Sequence, residues 1–319
     1  PLAGHVIMGL DPGYRTGCKM AIIDAQGNVL DYGAYYLTNS EKLKQEAQKK
    51  LAEKIRKFSV TLLSIGNGTA SYETEQFASK MIEEEKLDCH YIITNEAGAS
   101  VYSASKLAID ELPDLDVTIR GAVSIARRVQ DPLAESVKID PKSIGVGQYQ
   151  HDVNQKQLTH TLDQVVESVV NHVGVELNTA SPAILQHIAG ISSTVAKNIV
   201  TFRQENGGFT SRKQLLKVPR LGPAAFTQCA GFLRLNGAKN SLDNTSVHPE
   251  SYELAERIIG ELGFTLKDLQ DKSQLEALQV KLPLVDVDKM AHKLDAGIPT
   301  VRDIISALAK PGRDPREDL

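Results

Sequence analysis

Two carboxylates stand where strand ends would bring them together. Asp11 closes the apolar run from His5, and Glu96 follows Thr94-Asn95 at the end of a second apolar run, His90–Thr94. In an open α/β sheet the carboxyl edge of the strands is where ligands meet the chain, so the pair is placed for metal-assisted work on a phosphodiester. Holding two hard cations about 4 Å apart takes three or four carboxylates, and two alone make a weak site for Mg²⁺ or Mn²⁺. Asp11-Pro12-Gly13 reads equally well as turn chemistry. The stretch Gly66–Ser71 offers either backbone amides and a helix N-terminus to a phosphate, or a tight turn with Thr69 or Ser71 as cap.

A second chemistry lies further along. Residues 183–240 carry eight basic side chains (Lys197, Arg203, Arg212, Lys213, Lys217, Arg220, Arg234, Lys239) against one acid, Glu205. That block is +7 within a chain of net charge −4, leaving −11 for the remainder. Basic charge concentrated in this way is an electrostatic footprint for a polyanion. Within the block, Ile184–Ser192 followed by Val195–Arg203, and Leu215–Gly222 followed by Pro223 and 224–233, each read as a helix, a short glycine-bearing turn and a second helix. Both resemble helix-hairpin-helix units. Glycine in such a turn lets the backbone approach a phosphate, the amides of the next helix point at the anion, and nearby cations add salt-dependent attraction. The candidate contacts are Gly190, Ser192, Lys197, Arg220 and Gly222, with Lys213 and Lys217 as supporting charges. Ser192 replaces a second glycine and Arg220 a first one, which weakens each hairpin relative to the two-glycine ideal. A purely structural helical pair is the alternative reading.

The elements that must position these groups follow from patterning. His5–Asp11, Cys18–Ile23 and 29–37, with Asp24–Asn28 as turn, read as three sequential antiparallel strands. Ser40 caps a helix running to Phe58; strands at Val60–Ile65 and His90–Thr94 are each followed by a helix, about 71–86 and 97–110. A further helix spans about 120–130. The alternation implies a mixed five-stranded sheet with helices on its faces, an α/β domain. Leu158–Val173 has helical spacing, and Ser181-Pro182 starts the basic block as N-cap and first helical residue. The expected domains are 1–132, a helical connector 133–180, the all-α tandem hairpin domain 181–240, and a small mostly helical, acidic domain 241–319 with fifteen acids and ten bases.

The 319 residues are 41% hydrophobic and 24% charged, without an apolar run of the ~20 residues a membrane helix takes, so a soluble globular protein with no membrane partner is expected. Three widely spaced cysteines favour a reducing, cytoplasmic setting. Eight histidines show no metal-ligand spacing, and neither a Walker loop, a nucleophile elbow nor a dinucleotide fingerprint is present.

Gly9–Gly17, Asn95–Ser100, Arg120–Arg128 and Val137–Asn154 together resemble the YqgF domain of the bacterial Tex proteins, transcription accessory factors, and the likeness extends over essentially the whole chain. The resemblance implies an RNase H-like fold akin to the Holliday-junction resolvases, followed by helix-hairpin-helix and accessory domains. It also implies a fragment, because the family carries a helical region before this part and an OB-fold RNA-binding domain after it. In resolvase-like relatives a third acid opens the final helix. Here that place reads Arg120-Gly121-Ala122, and Asp131, eleven residues on, would lie roughly 16 Å away along a helix. Arg120 is therefore expected to pair with Asp11 or Glu96 where a cation would otherwise bind, leaving a vestigial nuclease site. The expected function is a non-enzymatic, cofactor-free, sequence-independent scaffold for RNA or DNA backbone that serves the transcription machinery. The alternatives are a Mg²⁺- or Mn²⁺-dependent nuclease recruiting Asp116 or Asp131, and a platform for acidic protein partners.

Overall fold

The computed structural model describes residues 2 and 4–310; the last nine residues of the expected 241–319 domain lie outside them. Two compact units divide after Leu162.

In the first unit, β1 (Ile7–Asp11), β2 (Cys18–Ile23) and β3 (Val29–Tyr35) form the antiparallel meander. Helix α1 (Glu41–Phe58) leads to β4 (Leu62–Gly66), α2 (Ser71–Glu84) and β5 (His90–Thr94). β4 pairs parallel with β1 and β5 parallel with β4, giving the order β3-β2-β1-β4-β5. This is the mixed five-stranded sheet that the pattern predicts. Ser40 caps α1 as expected, accepting from the Leu43 amide at 3.2 Å. The helix expected over 97–110 is two, α3 (Ala99–Ser103) and α4 (Lys106–Glu111), because the Ser105 hydroxyl caps a fresh start at Ala108. The next helix, α5 (Val117–Gln130), starts three residues earlier than expected, capped by Asp116; α6 (Pro132–Ser136) follows directly.

Strand alternation decides which residues share a face. Met8, Leu10, Met20, Ile22, Leu63 and Ile65 pack on α1 and α2 with Leu51, Ile55, Phe77 and Met81. Ile7, Ala21, Ile23 and Leu62 pack on the other side against Ile119, Ala122, Val123, Ala126 and Val129 of α5. Gly9 is on that second face, and a Cβ there would stand 2.2 Å from the Ala122 carbonyl oxygen and 2.9 Å from Ala126 Cβ. The absence of a side chain lets α5 lie directly on β1. By the same parity, Asp11 points to the α5 face.

Helix α7 (Gln155–Val173) spans the division, starting earlier than the apolar spacing predicts. In the second unit β6 (Val175–Glu176) pairs parallel with β7 (Leu233–Arg234). Between them come α8 (Pro182–Leu185), α9 (Ser193–Glu205), a 3-10 turn at Arg212–Lys217 and α10 (Pro223–Cys229). The leading helix of each hairpin unit is thus hardly more than a turn, shorter than expected. Ser181 precedes α8, but its hydroxyl makes no cap bond and is buried without a partner among the described residues. Helices α11 (Tyr252–Glu261), α12 (Lys272–Lys281), α13 (Val287–Lys293) and α14 (Ile298–Ala309) enclose a core of Ile258, Ile259, Leu278, Val301 and Ile304.

Arg212 is only 1% exposed. Its guanidinium donates to the carbonyls of Leu233, Leu242, Thr245 and Val247 and to the Tyr252 hydroxyl, while its amide donates to Asp243. One buried cation thereby satisfies carbonyls of an irregular stretch that no ladder could pair.

Gly9→Ala is expected to lower stability by about 2–3 kcal/mol, since the contact it meets is backbone rather than a flexible side-chain end. Urea unfolding of the variant checks this; a wild-type midpoint would mean that α5 has room to retreat.

Candidate nucleic-acid interface

The acidic pocket of the first unit is built from three strand ends and α5. Asp11 ends β1 opposite Lys19 of β2, whose Nζ donates to the Thr16 carbonyl at 2.7 Å. Burial pushes the Asp11 carboxyl up to about 6, with Glu96 adding to the rise and Lys19 opposing it. Glu96 is locked through its amide, which donates to Asn67 Oδ1 at 3.1 Å, while the Asn67 amide bonds the Thr94 carbonyl at 3.0 Å. Its carboxylate lies over the glycines of the β4–α2 loop: a Cβ at Gly68 would stand 1.9 Å from Oε1, and one at Gly66 2.3 Å from Oε2. The Gly66–Ser71 stretch is therefore taken up by an anion of the chain itself and does not offer an open phosphate cradle. Neither Thr69 nor Ser71 caps α2; Ala70 holds that place at φ 63° without a side-chain bond.

Arg120 does not do what the sequence predicts. Its Nε donates to the Leu115 carbonyl at 3.0 Å and its Nη1 to the Ser103 carbonyl at 2.9 Å, so the guanidinium ties α5 to α3. Among the described residues it forms no ion pair with Asp11 or Glu96. The helix residue facing Asp11 is Gly121, where a Cβ would stand 3.0 Å from Oδ2. The cation that Glu96 does feel is Arg128, whose Nη1 donates to the Asn95 carbonyl at 2.8 Å. Its Nε and Nη2 are buried without hydrogen-bond partners among the described residues, as is Glu96 Oε2, and burial lowers the Arg128 pKa against the pull of Glu135 and Glu96. Gly121 and Arg128 were legible in principle: with Ile125 they recur at intervals of four and three, one stripe of a helix.

The other acids considered lie elsewhere in role. Asp116 caps α5 by accepting from Thr118, and Asp131 is buried, capping α6 through the Ala134 amide. No cluster of three or more His, Cys, Asp or Glu able to hold a metal exists among the described residues. Asp11 and Glu96 alone do not fit a two-cation centre, which requires more oxygen donors than they provide.

In the second unit the two hairpins answer each other residue for residue. Gly190 and Arg220 both adopt left-handed backbone, φ 83° and 64°. Ile191 and Leu221 are buried beside them, and Ser192 and Gly222 are the N-caps of α9 and α10. The Ser192 hydroxyl accepts from the Val195 amide at 3.2 Å, so it serves the helix and leaves only its backbone for a ligand. The hairpins are tied crosswise. Asn198 of α9 donates to the Pro219 carbonyl at 2.9 Å, and Gly190 lies so close to α10 that a Cβ would meet Gln228 at 2.8 Å. Gly190, Ser192, Lys197, Lys213, Lys217, Arg220 and Gly222 are all exposed. Three members of the basic block are not. Arg203, Arg212 and Arg234 are each at most 6% exposed, and Arg203 donates to the Leu177 and Ala180 carbonyls. The external charge rests on the four named cations and Lys239, against exposed Glu205.

Residues 5–130 match the Tex protein YqgF-like domain, residues 170–234 a helix-hairpin-helix motif and residues 240–316 an HHH domain. Protein YhgF of Escherichia coli is 53% identical over 321 residues, covering 100% of this chain and 40% of that protein. The transcriptional accessory protein Tex of Neisseria gonorrhoeae is 51% identical over 317 residues, covering 99% of this chain and 40% of that protein. The chain thus spans about two-fifths of the length of these relatives. Among solved structures, Thermus thermophilus RuvC aligns with 38% of this chain and 90% of its own, at a TM-score of 0.30 and 13% identity. With a YqgF-like domain leading into helix-hairpin-helix domains and the likeness running along its whole length, the chain belongs to the Tex family.

Proposed function

We propose that this chain is a non-catalytic, sequence-independent nucleic-acid-binding scaffold of a transcription accessory factor. The observation that carries the reading is the pair of crosswise-tied hairpins, which present left-handed turns, helix starts and four exposed cations together. First-turn amides of a helix have no carbonyl one turn back, so they are free to bond a phosphate. Such contacts grip backbone rather than base edges, which makes binding indifferent to sequence. The RNase H-like pocket is vestigial on this reading, because Gly121 removes the donor that would complete a cation centre, and the scaffold needs no cofactor. It works in the cytoplasm, in contact with the transcription machinery. No described helix is long and apolar enough to cross a membrane.

The competing nuclease reading draws on the buried Glu96 Oε2, which has no hydrogen-bond partner among the described residues and whose charge raises the Asp11 pKa. Incubation with RNA, single-stranded DNA and branched DNA in Mg²⁺ or Mn²⁺ separates the two: the scaffold leaves all of them intact, and cleavage abolished by Asp11→Ala would refute it.

For the hairpins, Arg220→Gly is expected to keep or raise stability, by up to about 1 kcal/mol, because glycine accepts the left-handed turn. The same change should weaken binding and reduce the slope of log affinity against log salt by about one. Lys197→Ala should weaken binding similarly across sequences. Fluorescence anisotropy over a salt series, alongside thermal melts, reads both effects.

Asp11 carries a pH signature. Its folded-state pKa of about 6 lies above the ordinary 3.8, so the folded state disfavours the ionised form. Stability is unaffected below about pH 4 and is lost as pH rises through about 6. Asp11→Asn should therefore match wild type at low pH and exceed it by about 1–2 kcal/mol near pH 7.5, as measured by unfolding at each pH.

A further inference from the structure

The open edge of the sheet in the first unit carries an arrangement that neither the acidic pocket nor the hairpins use. β3 ends the strand order and, among the described residues, pairs only with β2. Ladder bonds alternate along an antiparallel pair, so every second residue of β3 turns its main-chain groups to the open side. At Tyr32 the amide donates to Asp31 Oδ1 at 2.8 Å, while Asp31 Oδ2 accepts from Lys54 of α1 at 2.6 Å. One carboxylate thus lies between a strand amide and a lysine at the rim of the sheet. Partial burial works against its ionisation, yet Lys54, the Tyr32 amide and Lys57 together hold the Asp31 carboxyl below its ordinary value. The Asp31 side chain is 30% exposed and that of Lys54 27%, so both can be reached from solvent.

The surroundings extend this arrangement along the strand. Lys50, Lys54 and Lys57 recur at intervals of four and three, one stripe of α1, with Lys50 and Lys57 exposed. Exposed Glu46 and Glu53 stand beside the row, which leaves separate positive points rather than the continuous field that a phosphate backbone calls for. Leu30, Tyr32 and Tyr36 along the same edge are 42%, 49% and 41% exposed. Val29–Tyr35 contains neither proline nor lysine, residues that commonly blunt such an edge. An extended peptide satisfies open amides and carbonyls by adding a strand, with its alternate side chains falling on opposite faces. We propose that the β3 edge takes an extended acidic segment of a protein partner as one further strand, its carboxylates reaching the lysine row. Asp31 holds one of those carboxylate places until the partner arrives. A nucleic acid could match the lysines but not the main-chain ladder.

Two fluorescein-labelled dodecapeptides, one alternating glutamate with valine and one lysine with valine, test this by anisotropy on the whole chain. The acidic peptide should bind and the basic one should not. Lys50→Glu and Lys57→Glu should each weaken binding about fivefold, the scale of one exposed ion pair. Asp31→Ala vacates the Tyr32 amide and Lys54, and should strengthen binding. An acidic peptide N-methylated at alternate residues keeps its charge but cannot complete the ladder; it should bind about tenfold more weakly, the scale of two lost hydrogen bonds. With the unmodified acidic peptide, amide hydrogen exchange of the wild-type chain should slow within residues 29–36, a readout that does not depend on how the variants fold. Equal binding of the acidic and basic peptides, full affinity of the N-methylated one, no gain from Asp31→Ala, or protection confined to other segments overturns the proposal. Slowing at 29–36 that appears with an oligouridylate but not with the peptide assigns the edge to nucleic acid, and slowing on raising the concentration of the chain alone assigns it to a second copy; either result overturns it as well.

Discussion

Everything in the acidic pocket follows from how closely α5 rests on β1. A side chain at position 9 would drive the helix outward, and its absence sets both the height of α5 and its rotation about its own axis. With Ala122 and Ala126 on Gly9, the neighbouring stripe, about 100° round the helix, lies over the strand ends, and that stripe holds Gly121, Ile125 and Arg128. Arg120 is carried round to the side, where carbonyls of the α3 and α5 approaches take its hydrogens. The pocket therefore keeps two acids facing a gap, with one of them pushed toward neutrality by burial and by the other. Close packing of small residues has fixed the chemistry here more firmly than any ion pair.

In the second unit, charge divides into two kinds that composition cannot separate. Arg203, Arg212 and Arg234 are buried, and their charge is spent on main-chain oxygens that regular structure leaves unpaired. Lys197, Lys213, Lys217, Arg220 and Lys239 remain in water and give the surface its field. The effective potential of the hairpin face is accordingly smaller than the +7 of the block. Arg220 combines the two demands: it holds a backbone shape that suits glycine, and it places a cation at the point where a phosphate would approach.

The sheet and the site were unequally legible in the sequence. Alternating apolar runs located all five strands, and strand ends located Asp11 and Glu96, because those signals are local. The spacing of the hairpins identified Gly190 with Arg220 and Ser192 with Gly222, again within a few residues. Arg120 was misplaced because a helical repeat tells which residues share a stripe but not which stripe meets the sheet; that depends on Gly9, over a hundred positions earlier. The Gly66–Ser71 loop stayed open between a phosphate cradle and a tight turn for a similar reason, since its glycines answer to Glu96, a neighbour only after folding. The arginines of the basic block were counted as one population because their acceptors lie in irregular turns with no periodicity to announce them.

The reach of Arg212 also bears on where this chain divides physically. Matched motifs suggest a seam near residue 240, between one hairpin segment and the next. Yet the acceptors of this one guanidinium run from Leu233 to Tyr252, straddling that seam. Severing the polypeptide there would strand a cation in an apolar interior on one side and orphaned oxygens on the other. The two matched segments thus share one buried cation and its ring of acceptors across their boundary.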